Sequence, residues 1–181
     1  NIESLNLDAI GIATHPHKGI LVNDFLQTAQ PHIYAAGDVC MDWKFTHAAD
    51  FAARIVIKNA FFSPFGLAKS KLSNLVMPWV TYTHPEVAHV GLYEHQATVS
   101  TTTITISMNT VDRAITDDET QGFVKLLLRA GSDEILGATI VSAHAGEMIS
   151  EVTTAMVNKI GLGKLASVIH PYPTQADAIR K

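Results

Sequence analysis

The segment that runs from Phe123 to Ser142 constrains the fold more than any other part of the sequence. Two apolar runs, Phe123 to Arg129 and Ile135 to Ser142, flank a polar loop from Ala130 to Glu134. Apolar runs of strand length that are separated by a short loop containing glycine are typical of an antiparallel hairpin. The sequence therefore predicts a pair of adjacent antiparallel strands here.

Other segments predict the elements that surround this hairpin. The stretches from Met77 to Thr83 and from Val99 to Met108 are rich in the Val, Ile and Thr that favour strands, and a short helix is predicted near Glu94. A helical apolar stripe from His144 to Ile160 predicts the clearest helix, with Gly161 as its stop. Strands paired by hairpins, with helices gathered after them, predict an α+β fold built on an antiparallel sheet.

The first part of the chain has a different character. Glycine and proline interrupt the first 45 residues, and we predict short strands at Gly19 to Val22 and at His32 to Ala36. Residues 46–62 have helical apolar spacing, and Thr46 is the predicted N-cap. A connecting stretch follows, and we place a domain boundary there, which divides the chain into residues 1–70 and 71–181.

Composition excludes several classes of protein. Thirteen Lys and Arg against seventeen Asp and Glu give a formal net charge of −4, whereas a dedicated nucleic-acid binder normally has a basic surplus. Cys40 is the only cysteine, which excludes an internal disulfide or a dithiol pair within this chain. The nine histidines show no metal-ligand spacing, so no metal site is predicted. No apolar run reaches the length of a membrane span and no signal peptide is visible, so we expect a cytoplasmic protein.

The segment from Ile33 to Val39 is an apolar run that ends in Gly37 and Asp38. Glycine allows a ligand to approach the backbone, and an aspartate after a strand accepts hydrogen bonds from sugar-like hydroxyls. This segment resembles a motif of the FAD-dependent pyridine nucleotide-disulfide oxidoreductases, which include dihydrolipoyl dehydrogenase, glutathione reductase and mercuric reductase. The resemblance implies that Asp38 binds the ribityl chain of FAD. It also implies that the helix start at Thr46-His47-Ala48 faces the flavin pyrimidine ring, where the helix dipole stabilises negative charge.

Later segments resemble the dimerisation (interface) domain of the same family, in the expected order. They are Thr83 to Gly91, Val111 to Ala114, Gly122 to Leu126, Ile135 to Ala138 and Ala145 to Ile149. The resemblance implies that residues 1–70 are the end of an FAD-binding α/β domain and that residues 71–181 form the dimerisation domain of a homodimer. It also implies that the FAD pyrophosphate loop, the redox cysteine pair and the NAD(P)H domain lie outside this chain, so we expect no turnover from the isolated chain.

The tail contains the candidate catalytic residues. In thiol-handling members of the family, a His-Pro-Thr motif supplies an acid/base to the partner subunit's redox cysteines, and a Glu five residues after the His orients it. Tyr172 stands at the place of that His and Asp177 at the place of the Glu. A phenol, with an ordinary pKa near 10, is a poor base at neutral pH but a good hydrogen-bond donor or oxygen ligand. His170 is a second candidate base, with a simple bond to a backbone carbonyl as the alternative.

The substrate stays open between a disulfide and a metal ion. The Pro-Tyr-x-Thr pattern around Tyr172 resembles the mercuric reductase branch, but that branch's further cysteine pair is not found before Lys181. A second class of function is also open, that of a stand-alone dimerisation or binding module. The long apolar stripe of the helix from His144 to Ile160 suits a symmetric interface between two copies.

Overall fold

The chain divides between Leu75 and Val76 into two units in the computed structural model, which describes residues 1–181. The first unit contains a small antiparallel hairpin of β1 (Thr14–His15) and β2 (Gly19–Ile20), followed by the 16-residue helix α1 (Thr46–Phe61). Short 3-10 turns make up the other regular structure of this unit: Glu3–Leu5, Leu7–Ile10, Gly37–Val39, Pro64–Gly66 and Leu72–Asn74. A small cluster of buried side chains, Ile12, Ile20 and Ala35, forms part of its core.

Two expectations for the first unit are wrong. The segment from His32 to Ala36 forms no strand, and only an isolated bridge joins Tyr34 to Gln27. Its backbone groups bond instead within a local turn, since the Ile33 N–H donates to the Gln30 carbonyl at 2.9 Å. Thr46 is not the N-cap of α1, because Phe45 is the last extended residue and no side chain caps the helix.

The second unit is a five-stranded antiparallel sheet in the order β3-β4-β7-β6-β5. Its strands are β3 (Pro78–Thr81), β4 (Glu86–Gly91), β5 (Thr101–Ser107), β6 (Phe123–Arg129) and β7 (Ile135–Ser142). Its helices are α2 (Asp112–Thr116), α3 (Ala145–Val157), α4 (Leu162–Ala166) and α5 (Asp177–Arg180), with 3-10 turns at Glu94–Gln96 and Met108–Thr110. The α+β fold class and the hairpin of β6 and β7 are as predicted.

The core of this unit lies between one face of the sheet and the helices. Alternate residues of β6, such as Val124 and Leu126, are buried there against Ile149 and Val152 of α3, as the period of two in a strand requires. On the opposite face of β6 lies Lys125, which is half-buried. Taken over residues 1–181, no helix has the length and apolar character needed to cross a membrane.

The structure adds a strand and shortens a helix relative to our predictions. We did not predict β4, in which His89 interrupts the short apolar run. Helix α3 ends at Val157 and not near Ile160, because the chain turns at Lys159, whose φ of 54° is left-handed. Gly161 is therefore not the stop of α3, and it precedes α4 as that helix's N-cap.

A hydrogen bond joins two of the segments that carry the family resemblance, Thr83 to Gly91 and Ala145 to Ile149. The Glu86 carboxylate at the start of β4 accepts a hydrogen bond of 2.9 Å from the backbone N–H of Gly146. That N–H lies in the first turn of α3, where backbone donors lack partners within the helix and where a negative charge is favourable. Glu86 thus joins the start of the sheet to the start of the helix that covers it.

Candidate functional site

The first candidate site lies around the turn at Gly37–Val39. Gly37 has a φ of 80°, and a Cβ there would lie 3.1 Å from the Cβ of Ala49 in α1. A side chain at this position would therefore be strained and crowded, and glycine allows the turn to pack directly against the beginning of the helix. The positive φ and the contact with α1 therefore explain why residue 37 is a glycine.

Asp38 follows this glycine and is exposed. Its backbone carbonyl accepts a hydrogen bond of 2.9 Å from the Lys44 Nζ, while no cation is paired with its carboxylate. Asp38 lines an open cleft of about 580 Å³, together with Thr14, His15 and Lys44. The site therefore offers a free carboxylate acceptor beside a space that could admit part of a ligand.

The start of α1 supplies the second feature of this site. Thr46 and His47 are exposed and Ala48 is buried, no side chain caps the helix, and its first turn holds no acidic residue. The N-terminus of the helix therefore carries a partial positive charge with no capping side chain and no carboxylate in its first turn. The glycine turn and the free carboxylate suit a polyhydroxyl chain, and this helix start suits an electron-rich group.

Cys40 follows the same turn but lacks the surroundings of a nucleophile. Burial raises the pKa of the half-buried thiol, and the nearby Lys44 opposes this only in part. A thiol that is held protonated reacts poorly. The geometry therefore fits the prediction of a small structural residue.

The second candidate site lies in the C-terminal unit, at Tyr172. This side chain is 76% exposed, and its hydroxyl donates a hydrogen bond of 3.0 Å to the Asp112 carboxylate. That hydrogen bond and the negative charge of Asp112 raise the pKa of the phenol. At neutral pH the structure therefore favours a protonated Tyr172.

Asp177, which the resemblance places as the orienting carboxylate, bonds elsewhere. It accepts a hydrogen bond of 2.7 Å from the Arg180 Nε, and this contact lowers the pKa of the Asp177 carboxyl. Asp112 holds the hydroxyl of Tyr172 instead. Sequence reasoning missed Asp112 as a site residue, and the only available signal was its place in the segment Val111 to Ala114.

His170 lies two residues before Tyr172 and its side chain is only 5% exposed. Its Nδ1 lies 3.0 Å from the Val168 carbonyl oxygen and its Nε2 lies 2.8 Å from a Glu151 carboxylate oxygen. Both ring nitrogens are thus occupied by groups of this chain, including the backbone carbonyl weighed in the sequence analysis. The contacts tie the tail to α3, which suits an anchoring role better than that of a free base.

A third cluster lies on the face of the sheet that α3 does not cover. The His89 side chain is buried, and its ring stacks on Tyr93 at a centroid distance of 3.8 Å. Its nitrogens lie 2.9 Å from the Thr139 Oγ1 and 3.0 Å from the Gly91 carbonyl oxygen. Since that carbonyl only accepts hydrogen bonds, the Nε2 carries the proton and the Nδ1 accepts from the hydroxyl when the ring is neutral.

Burial lowers the pKa of His89 below its ordinary value of 6.5. We therefore expect the free energy of unfolding to depend on pH. As pH falls, the unfolded chain binds a proton that the buried ring resists, and the free energy of unfolding decreases below about pH 6.5. Urea denaturation measures the free energy of unfolding at pH 7.5 and at pH 5. Its decrease between the two pH values should be smaller for His89→Phe than for the unaltered chain. His95→Gln, at an exposed neighbouring position, should retain the full decrease, and equal decreases in all three proteins would contradict the prediction.

A Gly-Asp turn and an uncapped helix, followed along the chain by an antiparallel α+β unit, are the features that the resemblance to the flavoprotein oxidoreductases predicts. Residues 77–181 match the family model of the pyridine nucleotide-disulphide oxidoreductase dimerisation domain, and residues 1–53 match that of the pyridine nucleotide-disulphide oxidoreductases. The chain belongs to the pyridine nucleotide-disulphide oxidoreductase family.

Individual relatives agree with this assignment. The chain is 37% identical to a mercuric reductase from Staphylococcus aureus, with 99% of this chain and 33% of the relative covered. It is 35% identical to a dihydrolipoyl dehydrogenase from Buchnera aphidicola, with 99% of this chain and 37% of that relative covered. The crystal structure of LpdA from Mycobacterium tuberculosis matches this chain with a TM-score of 0.87 at 27% identity. The match covers 99% of this chain and 39% of the LpdA chain. The chain spans about a third of the length of the curated relatives that it matches.

Proposed function

We propose that this chain is the flavin-contacting and dimer-forming part of a homodimeric flavoprotein that transfers electrons from NAD(P)H to a disulfide or a metal ion. The observation that carries the proposal is the Gly37–Val39 turn, packed against the uncapped start of α1. When bound, FAD supplies electron transfer between NAD(P)H and a cysteine pair, which the resemblance assigns to other parts of the protein. We place this enzyme in the cytoplasm.

The residues of the first site fit part of FAD in chemical terms. The free carboxylate of Asp38 accepts hydrogen bonds from hydroxyl groups, as a ribityl chain would require. Gly37 lets the turn pack directly against α1, and Asp38, the next residue of that turn, lines the cleft. The partial positive charge at Thr46-His47-Ala48 favours a ring system that becomes anionic when reduced.

In the proposed homodimer, Tyr172 contacts the redox site of the partner subunit. Its phenol stays protonated at neutral pH, because Asp112 raises its pKa, and it therefore does not act as a base there. An oxygen ligand without base chemistry suits a metal ion held by thiolates better than it suits a disulfide, whose reduction requires proton exchange with thiols. The mercuric reductases among the relatives favour the same substrate class.

The proposal is tested on the intact protein that contains these residues. We expect the purified intact protein to be a yellow dimer with a flavin absorbance band, and to oxidise NAD(P)H in the presence of mercuric ion. Glutathione disulfide and lipoamide are the competing substrates, and faster turnover with either would move the assignment to a disulfide. An intact protein that binds no flavin would overturn the proposal.

One structural observation favours the second candidate, a stand-alone dimerisation module. Residues 76–181 enclose a core of their own, in which buried side chains of the sheet pack against those of α3. Such a unit could fold and pair without a flavin. An intact protein that is dimeric but colourless would support this function instead of the first.

A further inference from the structure

The carboxylate that holds Tyr172 belongs to a residue for which the resemblance implies no role. Asp112 is the first residue of α2 and lies 60 positions before Tyr172, so their hydrogen bond of 3.0 Å is a tertiary contact. No cation competes for the Asp112 carboxylate, because Arg113 beside it is paired through Nε with Asp117 at 2.8 Å. The Tyr172 hydroxyl is therefore its hydrogen-bond partner.

The backbone around Tyr172 is held on both sides. Pro171 and Pro173 flank it and restrict the backbone, since each proline fixes its own φ. The His170 side chain, which is only 5% exposed, ties the preceding residues to Glu151 of α3 at 2.8 Å. On the other side, the backbone N–H groups of Asp177 and Ala178 donate to the Thr174 and Gln175 carbonyls at 3.3 and 3.1 Å, so the residues that follow form a turn. The hydrogen bond to Asp112 in turn restricts the side-chain torsions of Tyr172.

The hydrogen bond to Asp112 also determines whether the Tyr172 hydroxyl can donate or accept a further hydrogen bond. A hydroxyl has one proton to donate and two lone pairs that accept. With the proton directed at Asp112, the oxygen presents lone pairs to any group that approaches the exposed side chain. Such an oxygen accepts a hydrogen bond from a thiol or contacts a metal ion, and it does not donate.

We propose that Asp112 is a positioning residue for Tyr172, which fixes the phenol on the surface of the second unit and turns its oxygen outward as an acceptor and ligand. The inference rests on the proposed function, because it concerns the same Tyr172 site. It assigns to Asp112 the orienting task that the resemblance gives to the position of Asp177. Asp177 is bonded to Arg180 instead.

The direct test follows the ionisation of the Tyr172 phenol in this 181-residue chain, without flavin or turnover. Tyrosine labelled with 13C at Cζ is titrated by NMR, and Tyr172→Phe identifies the signal. We expect the Tyr172 midpoint to move to lower pH in Asp112→Asn and to stay in place in Asp118→Asn, which removes the same charge from an exposed position nearby. Asp112→Ala, whose fold is checked by circular dichroism, should repeat the Asp112→Asn result.

The outcomes separate this inference from the proposed function. Equal midpoints in all variants, or the same shift in Asp112→Asn and Asp118→Asn, would overturn the positioning role whether or not the protein binds flavin. In the intact flavoprotein we expect Asp112→Ala, which removes the acceptor of the Tyr172 hydroxyl, to lower kcat for mercuric ion roughly three- to tenfold, as the loss of one hydrogen bond implies, with flavin content unchanged. An intact protein without flavin would refute the proposed function and leave the titration result standing.

Discussion

Replacing Gly137 by alanine is expected to lower the free energy of unfolding of residues 76–181 by about 3 kcal/mol. Gly137 of β7 is paired with Gly91 at the end of β4, where the chain continues into Leu92. A Cβ at Gly137 would lie 2.2 Å from the Leu92 carbonyl oxygen and 2.8 Å from the Leu92 nitrogen. Both atoms belong to the backbone, so the overlap is relieved only if β4 and β7 move apart.

The matched control is Gly163→Ala in α4. Gly163 also lacks a left-handed φ, and the nearest atom to an added Cβ is the end of the Asp133 side chain at 3.3 Å. Alanine also has the higher helix propensity, so we expect little change or a small gain in stability. Chemical denaturation with urea measures both variants, and equal midpoints for Gly137→Ala and Gly163→Ala would contradict the steric argument.

The sequence was sufficient to predict those elements whose pattern and strand partner lie close together in the chain. The strands of the hairpin from Phe123 to Ser142 form as predicted because their two apolar runs and the loop lie next to each other in the chain. Strand β4 was missed because His89 breaks its apolar run, although it pairs with the neighbouring β3 as well as with β7, which lies about 50 residues away. The segment from His32 to Ala36 has the composition of a strand and forms none, because strand structure depends on a neighbour that composition does not reveal.

The candidate sites show the same division. Gly37 and Asp38 could be proposed because they are adjacent in a segment that resembles a family motif, and their role in binding stays a prediction. Asp112 could not, since its meeting with Tyr172 depends on how the tail folds back towards α2. The anchoring of His170 by Glu151 likewise spans 19 residues, so the sequence left its role open between a base and a backbone contact.

Replacing Asp38 by alanine in the intact flavoprotein is expected to weaken FAD binding by roughly 10- to 100-fold. Hydrogen bonds to a charged group contribute about 1.5–3 kcal/mol, and the exposed Asp38 carboxylate has no cation that would take up part of its capacity. A hydroxyl chain that loses this acceptor gains no other from an alanine. Titration of the apoprotein with FAD, followed by flavin fluorescence, gives the dissociation constant.

Asp42→Ala is the matched control, because Asp42 is an exposed aspartate only four residues away on the same loop. It removes the same charge but does not line the cleft that contains Asp38. If general electrostatics set the affinity, both variants should bind FAD equally, and the fit between Asp38 and the ribityl chain would be wrong. If the hydroxyl contact sets it, only Asp38→Ala loses affinity, and the Gly37–Val39 turn is then a flavin contact, since its conformation places that carboxylate beside the cleft.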